Sequence, residues 1–304
     1  MTPDGYCLPP RLQIEARVAS PPEKASFSCE FFPPKSDDAR DRFWETLDTL
    51  AALGPSFVTM TYGAGGSTRD WTLEMAIAMQ ERTGVPAAAH LTFVGTPRDE
   101  LMTLADMLWG NGIRHVVALR GDMPPDLSWP LAPDPDYFQY TSDFVMALKE
   151  RHDFDISVGA YPEKHPDAPS LSADIAALKL KCDSGATRAI TQFFFENDAY
   201  FRFLELARAQ GIQTPIVPGL LPIGDFSKIA AFAARCETHV PDALSAGFER
   251  LSPEETGPYA TEILNCQVRG LLSGGVDHVH FYTLNKADTL ADTIKACFPV
   301  KERL

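Results

Sequence analysis

The sequence predicts an α/β protein folded as one (β/α)8 TIM barrel, and three observations carry that expectation. Eight short runs rich in β-branched and aromatic residues alternate with amphipathic segments along the chain. Many of the helical segments end in Gly and pass straight into the next strand, as in "GNGIRHVVAL", "DSGATRAITQFFF" and "SGGVDHVHFYTL". Polar and titratable side chains then gather at the carboxyl ends of the strands, where a barrel of this kind places its active site. An open doubly wound sheet shares the alternation, but no GxGxxG joins the first strand to the first helix. "GAGGS" at Gly63–Ser67 has a different spacing and reads as a flexible loop.

The strands are expected at Phe27–Phe32, Phe57–Tyr62, Ala87–Thr92, His115–Leu119, Ile156–Tyr161, Arg188–Phe194, Ile216–Leu220 and His278–Tyr282. Helices are expected between them at Ala39–Leu53, Thr68–Thr83, Arg98–Trp109, Thr141–Arg151, Ser172–Asp183, Asp198–Ala209, Asp225–Arg235 and Thr261–Leu272, with a last one at Lys286–Cys297. Residues 1–25, rich in Pro and charge, read as a flexible tail, and residues 26–304 as one barrel domain. The connection "DMPPDLSWPLAPDPDYFQY" is long and Pro-rich, which marks Pro124–Asp136 as a lid or rim over the barrel mouth.

Bulk properties narrow the function classes. A net charge of −14 argues against nucleic-acid binding, which needs clustered Lys and Arg facing phosphate. Six scattered cysteines form no CxxC and no Cys/His array at zinc spacing, so the thiols read as reduced and structural, and no metal is expected. No signal-peptide core and no membrane-length apolar run occur, so the expectation is a cytoplasmic protein that binds no membrane.

The strand ends carry Glu30, Thr61 and Tyr62, His90, Arg120-Gly121-Asp122, Tyr161 with His165, Gln192, and Tyr282-Thr283. Singly each is what any strand end offers to a loop; together, with Phe31 and Phe193 among them, they describe a lined pocket. Glu30, in "ASFSCEFFPPKS", is the most telling. A carboxyl among aromatics either pairs with a cation, Arg120 or Lys35, or has its pKa raised so that it serves as a general acid. Gly121 would let a ligand approach the backbone closely, with Asp122 facing the mouth. "HVH" at His278–His280 puts both rings on one face of a strand, and the structural reading, core filling, is preferred there. Lys179 and Lys181 read as a solvated helix face, or as phosphate neutralisers if their helix starts near the mouth.

In register, "FSCEFFPPK", "FVTMTYGAGGSTRD", "HLTF", "NGIRHVVALRGDMPP", "DFDISVGAYPEKHP", "GATRAITQFFF", "PGLLPI" and "HFYTLNKA" resemble methylenetetrahydrofolate reductase of the bacterial type, from about Phe27 to Phe298. The resemblance implies a catalytic barrel that binds FAD non-covalently and takes electrons from NADH or NADPH. It further implies ping-pong reduction of 5,10-methylenetetrahydrofolate to 5-methyltetrahydrofolate, in one-carbon metabolism and methionine supply. Glu30 matches the family's acid and Asp122 its aspartate beside flavin and pterin. Gln192 matches the amide that contacts substrate, and Phe226 an aromatic that closes over it. For FAD the matched positions are Thr61, His90, Arg120, Gly121, Asp122, Tyr140, Tyr161, His165, Asp174, Lys181, Ile190 and Tyr282. Ala177 and Leu180 stand where the family carries Asn and Arg, which removes a charge-assisted phosphate contact and predicts looser FAD binding. A homo-oligomer is common in this family. The rival readings are a flavin-free or non-catalytic pterin-binding barrel, and another flavin barrel such as a proline-dehydrogenase-like enzyme.

Overall fold

The computed structural model describes residues 24–62, 69–125 and 127–299. The tail of residues 1–23 and the "GAGGS" loop lie outside them, as does Cys7. Nine strands form one parallel sheet: β1 (Ser26–Phe31), β2 (Val58–Met60), β3 (Ala87–Thr92), β4 (His115–Leu119), β5 (Asp155–Ala160), β6 (Arg188–Thr191), β7 (Ile216–Val217), β8 (Gly219–Leu220) and β9 (His278–Tyr282).

Their order is β7-β6-β5-β4-β3-β2-β1-β9-β8. β7 and β8 are the two halves of one barrel strand, parted only by Pro218, which has no N–H to give to a ladder. β7 pairs with β6 and β8 pairs with β9, so the ends of the order meet and the barrel closes. The Pro218 carbonyl still accepts from His280 N at 2.9 Å, which carries the pairing across the break. Counted this way the barrel has the eight strands that the sequence predicts.

Helices α1 (Asp37–Ala51), α2 (Arg69–Thr83), α3 (Arg98–Gly110), α4 (Thr141–Arg151), α5 (Leu171–Asp183), α6 (Asn197–Ala209), α7 (Phe226–Arg235), α8 (Asp242–Phe248), α9 (Pro253–Ser273) and α10 (Asp288–Cys297) surround the sheet. Side-chain caps start several of them. Ser36 and Ser170 accept from Ala39 N and Ala173 N at 3.2 Å, and Ser252 with Glu255 forms a capping box. α8 was not foreseen, and α9 begins eight residues earlier than expected, at Pro253 rather than Thr261. Pro258 lies inside the helix as its sixth residue, past the amides that lack partners at a helix start, and removes one bond of the ladder, to Glu254 O.

Alternation sorts each strand into two faces. On β1 the side chains of Phe27, Cys29 and Phe31 pack against the helices in the main core, while Ser26, Ser28 and Glu30 point into the barrel. β9 does the same with Val279 and Phe281 outside and His278, His280 and Tyr282 inside. The register sets Ser26 beside His278, Ser28 beside His280 and Glu30 beside Tyr282. The barrel interior is therefore polar along this seam, and elsewhere it is filled by groups such as Phe57, Ile190 and Val217. Among the described residues no helix is long and apolar enough to cross a membrane.

Candidate active site

Two adjoining cavities, of about 320 and 250 Å³, lie at the carboxyl ends of the strands and share Leu119, Gly159 and Tyr161. The inner one takes Glu30, Thr61, His90, Ile190, Gln192 and Tyr282 from five different strands or the residues just beyond them, with Phe31, Phe193 and Leu221 between. The outer one takes Arg120, Tyr140, Tyr161, His165, Asp174 and Lys181, with Trp129 from the Pro-rich loop. Twelve of the fifteen positions that the resemblance implies are thus brought together, with Thr283 from the strand-end pattern beside them, whereas Tyr62 lines neither cavity.

The remaining three differ. Gly121 has φ +93° and lies just beyond β4, where an added Cβ would stand 2.8 Å from Thr92 Cβ. Asp122 is exposed on the following loop and lines neither cavity. Phe226 opens α7, stacks on Phe248 with ring centroids 4.5 Å apart, and lines neither cavity, though it packs on the cluster that contains Phe193 and Leu221.

Glu30 pairs with neither Arg120 nor Lys35. Arg120 binds Asp167 at 2.8 Å and lies over the Trp129 ring, and Lys35 is exposed in the loop after β1. The partners of Glu30 are histidines on β3 and β9: Oε2 is 3.2 Å from His90 Nε2 and 3.5 Å from His280 Nε2. Thr59 Oγ1 donates to the same oxygen at 3.5 Å.

The expectation of a raised Glu30 pKa is corrected as well. Burial is the largest influence and pushes the carboxyl up. His90 beside it and the hydrogen bond from His280 outweigh that and bring it down to about 2. The acid is therefore not a lone carboxyl in an apolar pocket but a carboxylate held between two imidazoles.

His280, 3.5 Å from Glu30, is the neighbour that the sequence reading set aside as core filling. Its neighbour could have been read from the matching period-two patterns Ser26-Ser28-Glu30 and His278-His280, once the two strands were placed side by side.

Tyr282 and Tyr161 stay protonated. Burial pushes the Tyr282 hydroxyl far up, and it donates to Thr191 O at 2.6 Å; burial pushes Tyr161 up to about 12. Lys181 is a cavity residue, not part of the solvated face: its Nζ donates to Gly159 O at 2.6 Å, and burial lowers its pKa. Lys179 is on the solvated face, paired with Asp183 at 2.8 Å. Asp174 accepts from His165 N at 2.9 Å, and the His165 ring meets Tyr161 edge-on at 4.5 Å.

Ala177 and Leu180 line the outer cavity, where Leu180 is 60% exposed and supplies no charge. The Pro-rich loop is the rim expected of it. Asp136 O accepts from Arg98 N at 2.8 Å, while Trp129 reaches Tyr140 edge-on at 5.9 Å across the cavity mouth.

The sequence profile of the family described as methylenetetrahydrofolate reductase matches residues 13–297. The chain is 42% identical over 280 residues to 5,10-methylenetetrahydrofolate reductase of Salmonella typhimurium strain LT2, covering 91% of this chain and 92% of that one. It is 44% identical over 263 residues to the protein of that name from Escherichia coli strain K12, covering 86% of each. Among solved structures, a Clostridium thermocellum protein described as binding two copies of 5-methyl-5,6,7,8-tetrahydrofolic acid superposes with a TM-score of 0.59 at 14% identity. It covers 90% of this chain and 94% of that one, a likeness of fold alone. With the family profile spanning nearly the whole barrel and the matched strand-end residues lining one slot, the chain belongs to the methylenetetrahydrofolate reductase family, in its bacterial type.

Proposed function

We propose that the protein reduces 5,10-methylenetetrahydrofolate to 5-methyltetrahydrofolate with electrons from NADH or NADPH, the two substrates alternating over one non-covalently bound FAD. The observation that carries the reading is the Glu30 cluster, a carboxyl held between two imidazoles on the wall of a largely apolar slot, in a chain of this family. Opening the five-membered ring of the folate requires one proton on the departing nitrogen and leaves an electrophilic methylene carbon. Bound FAD would accept hydride from the nicotinamide and hand it to that carbon.

The residues fit such a cofactor. The inner cavity has apolar walls and adjoins an outer one that holds Arg120, His165 and Lys181, a division that suits a flat ring system continued by a diphosphate. Thr61, His90, Gly121, Tyr161, Ile190 and Tyr282 would hold the ring end, and Arg120, Tyr140, His165, Asp174 and Lys181 the nucleotide end. Asp122, on the flanking loop, would bias the electrostatics of the ring edge. Gln192 would contact whichever substrate is seated, and Phe226 would close over it.

While the slot is open, His90 and His280 beside it hold the Glu30 carboxyl down to about 2, in its carboxylate form. A substrate seated over Glu30 removes what solvent exposure the carboxyl retains. Burial then prevails at Glu30, and the carboxyl that faces the folate takes up the proton it is to donate.

Visible spectroscopy of the protein with FAD under anaerobic conditions tests the reading. NADH should bleach the flavin, and methylenetetrahydrofolate added afterwards should restore the colour. Bleaching without recovery points to a different oxidant and another flavin barrel. No retained flavin, with folate still bound, points to a pterin-binding barrel and makes Ala177 and Leu180 its cause.

A further inference from the structure

The Glu30 cluster is the upper end of a longer hydrogen-bonded chain. Below it, Ser28 Oγ lies 2.7 Å from His280 Nδ1 and 2.9 Å from His278 Nε2. Ser26 Oγ lies 2.7 Å from His278 Nδ1. These side chains alternate down the inner faces of β1 and β9, two neighbouring strands in register, so no link depends on a loop. Ser26 and His278 sit at the amino-terminal mouth, where His278 lines a cavity of about 580 Å³ with His115, Arg188 and Asp277. Between the two mouths the chain is shielded. Ser28 and His280 are fully buried, and the Phe57 ring stacks on His278 at 5.6 Å and on His280 at 6.1 Å.

We propose that Ser26, His278, Ser28 and His280 form a proton relay that recharges Glu30 from solvent at the amino-terminal mouth, on the opposite side of the barrel from the substrate. The inference rests on the reductase reading above. Each turnover there takes one proton from the Glu30 cluster, while a folate lying over Glu30 separates that group from the solvent it would otherwise use.

One arrangement of hydrogens serves the whole chain. Ser26 Oγ–H donates to His278 Nδ1, His278 Nε2–H to Ser28 Oγ, Ser28 Oγ–H to His280 Nδ1, and His280 Nε2–H to Glu30. When Glu30 has given its proton to the folate nitrogen, it takes one from His280 Nε2, whose Nδ1 takes the Ser28 hydroxyl proton. Ser28 is resupplied from His278 Nε2, His278 Nδ1 from Ser26, and Ser26 from water at the mouth. One proton enters for each one delivered, and no electrons move. Such transfer needs imidazoles that are neutral, with one nitrogen donating and the other accepting. Burial, with His280 and Arg188 nearby, lowers His278 to about 3, so it meets that condition. The longest link, 3.5 Å from His280 to Glu30, is the one that must tighten when substrate seats.

Rapid-mix product analysis of the NADH-reduced holoenzyme with methylenetetrahydrofolate, followed into the steady state, tests the relay. His278→Phe keeps a ring against Phe57 and breaks the chain; Ser28→Ala breaks it by deleting one hydroxyl and serves if the first variant does not fold. With the relay cut, one equivalent of 5-methyltetrahydrofolate per active site should form in a burst, drawn from the proton already in the cluster. Later turnovers should run about 10- to 100-fold slower. In His278→Gly, imidazole diffusing in from the amino-terminal cavity should restore the steady-state rate. A structural role for His278 predicts neither burst nor rescue. If the wild type turns over and the variants match it, or slow without burst or rescue, the relay is overturned. If the wild type makes no 5-methyltetrahydrofolate, the reductase reading fails first and takes the relay's reaction with it.

Discussion

Replacing Glu30 by Gln keeps the side chain's size and removes the carboxyl that His90 and His280 reach among the described residues. The two half-reactions should then separate. Reduction of bound FAD by NADH requires no proton from this group and should stay within a few-fold of wild type. Folate reduction, which does, should fall by about 10²- to 10⁴-fold. Stopped-flow absorbance on each half-reaction checks this, and an equal fall in both would remove Glu30 from its role as acid. At this scale the sequence disclosed the residue but not its surroundings. A carboxylate between Cys29 and Phe31 declares that it needs a reason; which groups answer it depends on β3, some sixty residues further along, and on β9 at the far end of the chain. The nearest cations in sequence, such as Lys35, were the natural guess, and the true partners His90 and His280 became visible only when the barrel closed.

Elements were more legible than contacts, because each is written in a local pattern that packing has no reason to override. α4 runs over Thr141–Arg151 and β3 over Ala87–Thr92, as the periodicity and the flanking turn residues predict. The exceptions are where a proline carries two meanings. Pro258 sits inside α9 and Pro218 inside a barrel strand, and only tertiary pairing decides which of its effects prevails.

Two predictions belong to elements. The first concerns α5, whose face toward the outer cavity carries Ala177 and Leu180. Ala177→Asn with Leu180→Arg adds an amide and a guanidinium beside Lys181, and a charge-assisted bond to phosphate contributes about 1.5–3 kcal/mol. The Kd for FAD should drop by roughly tenfold or more. Fluorescence titration measures it, and an unchanged Kd would show that this face does not meet the nucleotide.

The second concerns the split strand. A Cβ at Gly219 would stand 2.2 Å from Thr191 O and 2.7 Å from the Tyr282 ring. Its first obstacle is backbone, and the second is a tyrosine fixed by its own hydrogen bond to that same carbonyl. Gly219→Ala should therefore strain the closure between β8 and β9 and cost about 1–3 kcal/mol, seen as a lower denaturation midpoint with an unchanged slope. A midpoint equal to that of wild type would mean that the seam is looser than its geometry.

At the scale of the whole molecule the two mouths of the barrel divide the work: the carboxyl-end mouth holds the slot, and the amino-terminal mouth holds charges that tie strands together. The barrel and its active end were legible because alternation and strand-end chemistry are local. The polar lining of its interior was not, since Ser28, His280 and Asp155 gain their meaning from neighbours across the sheet.

Asp155 makes the second mouth testable. It binds Arg188 on β6 at 2.7 Å, lies 3.1 Å from His115 Nδ1 on β4, and accepts from Thr187 Oγ1, so it joins three consecutive strands. Burial pushes its carboxyl up, but the bonds from Thr187 and Arg188 prevail, and its pKa lies below the ordinary value. The unfolded chain therefore takes up this proton at a higher pH than the folded barrel does. The stability Asp155 contributes is fully present above the unfolded value of about 3.9 and is lost as pH falls through the lower folded one. Asp155→Asn should cost about 1–3 kcal/mol at pH 7, and the gap to wild type should close as pH drops below about 4. The overall charge of −14 relaxes in both proteins alike on acidification, so the difference between their urea midpoints isolates this one group. A gap that stays constant down to pH 3 would mean that Asp155 holds the strands by shape and hydrogen bonding alone, with no contribution from its charge.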